Sequence, residues 1–315
     1  MDCGVSPADV DAHPRVCVVG AANIDLISYV PRLPRLGETL HGTEFRMGYG
    51  GKGANQAVMA AKLGARVAMV CKLGRDVFGD GTLQNFRESG VDAEHVTFTD
   101  EAFSGVAPIA VDPDGNNSII IVTGANDLLS EQDVEHARPA IAASSVVVCQ
   151  LEIPLEISLA ALRVAREEGV ATILNPAPAR SELPADAYRL ADVFCPNEPE
   201  TELLLGRPIA AEEEAAAREL LDRGAGSVIL TLGQRGCLVV DGDSAQHVPV
   251  ERVVVVDTTG AGDAFVGSLA YFLAAGRPLT QAADRANRIA AISVQAHGTQ
   301  TSFPAAADLP AGLLD

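Results

Sequence analysis

The segment Val253-Val-Val-Val-Asp-Thr-Thr-Gly-Ala-Gly-Asp263 carries the most explicit chemistry in this sequence. The four valines predict a buried strand, Gly260 and Gly262 a tight turn, and the apolar run from Ala264 to Ala275 a buried helix. A helix N-terminus offers unpaired N–H groups and the positive end of its dipole, and glycines beside it let a phosphate come close. Asp263, on the same turn, either caps the helix or holds and deprotonates a hydroxyl that attacks the phosphate.

Three further groups of residues suit a polyol and a nucleotide. Asn23 and Asp25 alternate along Asn23-Ile-Asp-Leu-Ile-Ser-Tyr-Val30, so they share a strand face. A carboxylate accepts from two neighbouring hydroxyls while an amide both donates and accepts; a solvated strand face is the other reading. Gly48-Tyr-Gly-Gly-Lys-Gly-Ala-Asn55 contains a formal G-x-G-x-x-G, but no buried parallel-type strand leads into it, and Gly53 stands where a P-loop needs Ser or Thr. It is read as a glycine loop entering a helix from Val58 to Leu63, with Lys52 and Asn55 free to face a polar ligand. Glu152, Asn175 and Asn197-Glu-Pro-Glu200 each follow an apolar strand, where α/β sheets bind ligands. Asn197 and Glu200 also have the spacing of a helix capping box. Thr231 to Gly236 is either a hairpin turn or a nucleotide-cradling loop.

The elements positioning these groups alternate. Strands near 15–20, 67–71, 145–151 and 171–174 are separated by helices near 79–89, 131–141 and 155–168, which predicts a mostly parallel sheet covered on both faces. The rhythm is broken around 103–124, where Pro113-Asp-Gly-Asn joins two apolar runs into a hairpin. With exposed strands from about 23–50, it predicts a small discontinuous sheet that closes over a cleft or pairs subunits. Later helices are expected at 212–223 and 280–296. The expected organisation is a polar tail, 1–14, and one domain, 15–310.

A net charge of −19 and a pI near 4.6 argue against nucleic-acid or anionic-membrane partners. The N-terminus lacks a basic, apolar leader, and the six cysteines (Cys3, Cys17, Cys71, Cys149, Cys195 and Cys237) form no CxxC pair. A cytosolic location without a disulfide framework or zinc centre is expected.

Taken together, Gly50-Gly-Lys-Gly-Ala-Asn-Gln-Ala57 and Asp257-Thr-Thr-Gly-Ala-Gly-Asp263, about two hundred residues apart, resemble the two signatures of the ribokinase-like (PfkB) sugar kinases. Gln150-Leu-Glu152, Asn175-Pro-Ala-Pro-Ala and Pro196-Asn-Glu resemble the ribose-phosphorylating members more than adenosine kinases or fructokinases. The resemblance implies a three-layer αβα fold with a β lid, a homodimer formed through that lid, and transfer of phosphate from ATP to O5 of D-ribose. It implies that Asn23, Asp25, Gly51, Lys52, Gly53, Asn55 and Glu152 hold the sugar, and that Asp263 is the base beside an anion hole at Gly260, Ala261 and Gly262. It places ATP against Asn197, Thr231, Leu232, Gly233, Gln234, Arg235, Gly236, Gly262, Asp263 and Asn287. Asn197 and Glu200 would order Mg2+ through water, and K+ would sit against Asp257, Thr259, Ser293, Ala296, Gly298 and Ser302. Deoxyribose, a nucleoside or another sugar is the alternative acceptor, and a non-catalytic sugar sensor the alternative class.

Overall fold

The computed structural model describes residues 13–315, so most of the expected tail, and Cys3 with it, lies outside the described residues. Strand β1 (Arg15–Val19) starts the central sheet, and β2 (Asn23–Tyr29) leaves it for a second sheet that β3 (Glu44–Gly50) joins. Helix α1 (Lys52–Lys62) leads back to β4 (Arg66–Gly74), followed by α2 (Val77–Glu88), β5 (Val91–Asp92) and β6 (Val96–Thr99). The predicted hairpin is β7 (Gly105–Val111) and β8 (Asn117–Ile119). Then come α3 (Glu131–His136), α4 (Arg138–Ala142), β9 (Val146–Cys149), α5 (Leu155–Glu167) and β10 (Ala171–Leu174). Next are α6 (Ala185–Arg189), β11 (Val193–Phe194), α7 (Glu198–Leu205), α8 (Glu213–Asp222) and β12 (Ser227–Thr231). The chain continues through β13 (Cys237–Asp241) and β14 (Ser244–Val248) to α9 (Ala261–Ala274) and α10 (Leu279–Ser293).

The central sheet runs β14-β13-β12-β11-β10-β9-β1-β4-β5, with β6 also on β4, and is parallel except at β12-β13-β14. Its strands are buried on both sides. Val16 and Val18 of β1, with Val146 and Val148 of β9, join the core under α1, α9 and α10. The alternate residues Cys17, Val19, Val147 and Cys149 join the core under α5 and α8, as the period of a strand between two helical layers requires. The five described cysteines are free and buried in this core. The second sheet, β3-β2-β7-β8, is the expected separate one; residues 30–43, expected to contain exposed strands, form none.

Three expectations need correction. Val253 to Val256 is not a buried strand: it is irregular, with Val254 81% and Val255 55% exposed. The strand there is the polar, half-exposed β14, and Pro249, which has no N–H for a ladder, ends it, so the valines cross the surface toward α9. Helix α1 begins at Lys52 rather than Val58, because Gly51 at φ 86° turns the chain directly from β3 into the helix. The single helix expected over 131–141 is two, meeting at Ala137 ahead of Pro139.

Helices α1 and α9 come from opposite halves of the chain and pack with almost no gap. A Cβ at Gly267 would lie 2.6 Å from the Gln56 carbonyl oxygen and 2.8 Å from the Met59 Cβ. Gly267→Ala is therefore expected to lower stability by about 1–3 kcal/mol in urea unfolding, and an unchanged midpoint would show that this contact can relax.

Candidate active site

The carboxyl ends of β1, β9, β10, β11 and β12 point to one edge of the sheet, where a cleft of about 180 Å³ opens. Lys52, Asn175, Asn197, Glu200, Thr231, Gly260, Gly262 and Asp263, all named from sequence, line it together with Ala177, Cys195 and Val266. Its floor is the start of α9. Gly260, at φ 76°, turns the chain into a helix that no side chain caps, and a Cβ at Gly262 would meet nothing within 4 Å. First-turn N–H groups without a capping side chain, beside open space, are a geometry compatible with an anion.

Asp263 is 6% exposed and held at both oxygens. Asn55 donates from Nδ2 to Oδ2 (2.8 Å), and Gln56 donates from Nε2 to Oδ1 (2.9 Å). Gln56 also donates to Asn175 Oδ1 (3.1 Å) and accepts from Gln150 (2.7 Å). Asp263 is thus braced from α1 rather than capping its own helix, which carries no side-chain cap bond.

The glycine loop sits over this floor. A Cβ at Gly51 would lie within 3 Å of the Ala21 and Asn23 backbones, and one at Gly50 would press on the Asp25 carboxylate, so the loop bears directly on the residues that follow β1. Glu152 accepts from the Lys52 N–H (2.8 Å). Burial, with the charges of Glu152 and Asp263 adding to it, pushes the Asp25 carboxyl up to about 6. Burial likewise raises Glu152, although Lys52 opposes the shift. Burial alone would depress the Lys52 ammonium, but Asp263, Glu152 and Glu200 outweigh it and hold it above its ordinary range. Three acidic groups therefore share one lysine. Asn23 is turned by Asn126, whose Nδ2 donates to Asn23 Oδ1 (2.8 Å) while its Oδ1 accepts from the Ala22 N–H (3.0 Å).

Asn197 and Glu200 make the capping box reciprocally, and both also line the cleft. Burial pushes Glu200 up to about 6 against those bonds. A buried carboxylate with lone pairs still facing the cleft suits an outer-sphere role toward a hydrated cation. Asp257 accepts from the N–H groups of Thr259 (2.9 Å) and Gly298 (2.9 Å). Partial burial would raise it, but these bonds win and keep it ionised below its usual range. An ionised carboxylate between two backbone turns suits a weakly hydrated monovalent cation. The Ser293 and Ser302 hydroxyls donate to the carbonyls of Ala290 and Thr299. Among the described residues, no group of three or more His, Cys, Asp and Glu side chains is placed to hold a metal ion.

Some expected residues lie apart from the cleft lining. Leu232 is buried in the core, Arg235 pairs with Glu198 and Glu213 at the surface, and Gly233–Arg235 is a short 3-10 turn. Asn287 is buried, donating to the Val248 carbonyl (3.1 Å). Gln56 and Asn126 were not anticipated as functional; Gln56 lies inside the glycine motif, but Asn126 has no spacing signal.

Buried carboxylates beside an uncapped helix N-terminus suit phosphoryl transfer to a small polar acceptor. A family model described as pfkB family carbohydrate kinase matches residues 13–306. The chain is 46% identical to mouse ribokinase over 304 residues, covering 95% of this chain and 94% of the relative, and 42% identical to a Salmonella typhi deoxyribokinase over 291 residues, covering 92% and 95%. An Arabidopsis thaliana ribokinase solved with ribose and ATP superposes with a TM-score of 0.87 at 30% identity, covering 96% of this chain and 99% of that one. The chain belongs to the pfkB family of carbohydrate kinases.

Crowded carboxylates set a pH dependence. A carboxyl held above its unfolded value binds its proton more tightly when folded, so its stabilising contribution is complete below about 4 and is lost as pH rises through about 6. The ligand-free protein is expected to lose stability over that window. Asp25→Asn should flatten the loss and be more stable at pH 7.5 by on the order of 1–2 kcal/mol, read from urea midpoints at pH 5 and 7.5. Parallel pH profiles for the two proteins would contradict this.

Proposed function

We propose that the protein transfers the γ-phosphate of ATP to O5 of D-ribose, giving D-ribose 5-phosphate and ADP. The observation that carries this reading is that Asp263, with both oxygens fixed, lies in the uncapped first turn of α9 within electrostatic reach of Asp25 and Glu152. Asp25 and Glu152 accept from ring hydroxyls while Asn23, Lys52, Asn55 and the backbone at Gly51 and Gly53 complete the sugar pocket. The γ-phosphate lies on the N–H groups of Gly262 and Asp263, beside Gly260 and Ala261, whose own N–H donates to the Thr258 carbonyl (3.2 Å). As the O5–P bond forms and the bond to the leaving ADP oxygen breaks, the O5 proton passes to Asp263, and Lys52 offsets charge on the transferring group. A loose transition state demands placement more than basicity, which the two amides on Asp263 supply.

ATP lies toward Asn197, the 231–236 turn and the side bearing Asn287. Asn197 and Glu200 would hold Mg2+ through water, where it would neutralise phosphate charge. Asp257 and the carbonyls around Thr259, Ala296 and Gly298, with Ser293 and Ser302 nearby, would hold K+, which would order the anion seat. Residues 15–310 act as one kinase domain, with the β3-β2-β7-β8 sheet as its lid. Exposed Phe45, Met47 and Ile119 to Val122 on that sheet support pairing with a second copy. Free, buried cysteines suit a reducing, cytosolic compartment. No described helix is long and apolar enough to cross a membrane.

The Salmonella relative makes 2-deoxyribose the natural competitor, so initial rates on ribose, 2-deoxyribose, hexoses and nucleosides, with and without K+, are the direct test. Ribose is expected to be fastest and K+ to accelerate it; a higher kcat/KM on another sugar would reassign the acceptor. Asp263→Asn should lower kcat by roughly 10³-fold or more while calorimetric ribose affinity stays within a few-fold, because the new amide must turn a donor toward Asn55 or Gln56. Near wild-type turnover would remove Asp263 from the chemistry.

A further inference from the structure

Behind Asp263 runs a chain of amides with a single polarity. Asn85 Nδ2 donates to Gln300 Oε1 (2.8 Å), Gln300 Nε2 donates to Asn55 Oδ1 (3.0 Å), and Asn55 Nδ2 donates to Asp263 Oδ2 (2.8 Å). An amide can present oxygen or nitrogen to either side, so each orientation must be fixed by its neighbours. On the Gln56 branch both ends are fixed: the Asp263 carboxylate only accepts, and so does the Cys195 carbonyl, which takes the Asn175 N–H at 2.9 Å. Asn175 must therefore face its oxygen to Gln56. On the Asn55 branch the carboxylate likewise requires Nδ2 on its side, and Gln300 supplies the donor that the outward-facing Asn55 Oδ1 needs. Without that donor the amide would keep only its bond to Asp263 and would no longer be held at both ends.

Gln300 is well placed for this task. It is 8% exposed, and its backbone carbonyl accepts from Lys62 Nζ (2.7 Å), which ties the segment to the last turn of α1. Its side chain contacts Asn55 and Asn85 and is not among the residues lining the cleft.

We propose that Gln300, oriented by Asn85, is a positioning residue for phosphoryl transfer: it locks the Asn55 amide so that Asp263 is held to receive the acceptor's proton. The proposal rests on the reading of Asp263 as the group that takes that proton. Gln300→Met keeps the length and removes both hydrogen bonds. The expected result is a kcat lowered about 10–100-fold with KM for ATP within about twofold and KM for ribose, whose pocket Asn55 borders, changed by much less than kcat, since a misplaced reacting group costs rate more than binding. Because Gln300 acts through Asn55, the double variant Asn55→Ala/Gln300→Met should have the same kcat as Asn55→Ala alone.

A wild-type kcat for Gln300→Met, a loss confined to KM, or penalties that multiply in the double variant would each overturn the proposal. Should Gln300→Met fail to fold, Asn85→Ala at the half-buried end of the chain carries the test, with kcat expected to fall several-fold at unchanged KM and an unaltered kcat refuting it. These variants are compared with wild-type protein active on ribose. A wild type inactive on every sugar would overturn the kinase reading and this proposal together, whereas an active wild type with an indifferent Gln300→Met overturns this proposal alone.

Discussion

The first turn of α1 reaches across to the first turn of α9 through two neighbouring amides, Asn55 and Gln56, that grip the two oxygens of Asp263. Most of the site depends on that grip. It requires α1 to begin at Lys52, hence the turn at Gly51, and it requires the helices to touch, hence the bare Gly267 beneath Gln56 and Met59. The parallel sheet then brings Glu152, Asn175, Asn197 and Thr231 to the same edge, because each follows a strand that runs the same way.

The arrangement is electrostatically costly without ligands. Glu152, Glu200 and Asp263 act on Lys52, and Asp25 feels Glu152 and Asp263, in a molecule whose net charge is already −19, while burial raises Asp25, Glu152 and Glu200 further. In the proposed reaction, sugar hydroxyls would donate to these carboxylates, and cations accompanying a nucleotide would supply positive charge. The empty site therefore trades stability for binding capacity, as sites that await charged substrates commonly do.

Much of this was legible in the sequence where a residue's role follows from its immediate neighbours. The Asn23/Asp25 alternation, the Asn197/Glu200 spacing and the glycines around Asp263 each announce themselves locally, and their order along the chain is enough to indicate the family and the layered fold. What stayed hidden depends on distant partners. Gln300 meets Asn55, Asn126 meets Asn23 and Gln150 meets Gln56 across stretches that no periodicity spans. The valines at 253–256 misled because composition alone marks a buried strand, whereas the edge of the sheet went to the polar β14, paired in register with β13. Gly48 to Gly53 read as a loop because glycines disfavour helix, yet Lys52 and Gly53 are helical under the tertiary contacts of Gly53 with Gly20 and Ala21.

The central claim is that the cleft presents a primary hydroxyl of ribose to a phosphate seated on α9. Phosphorus NMR of the product formed from ribose and ATP tests it most directly. The account predicts one new phosphomonoester resonance split into a triplet by the two protons on C5; a doublet, from phosphate on a carbon bearing a single proton, or no new resonance at all would contradict it.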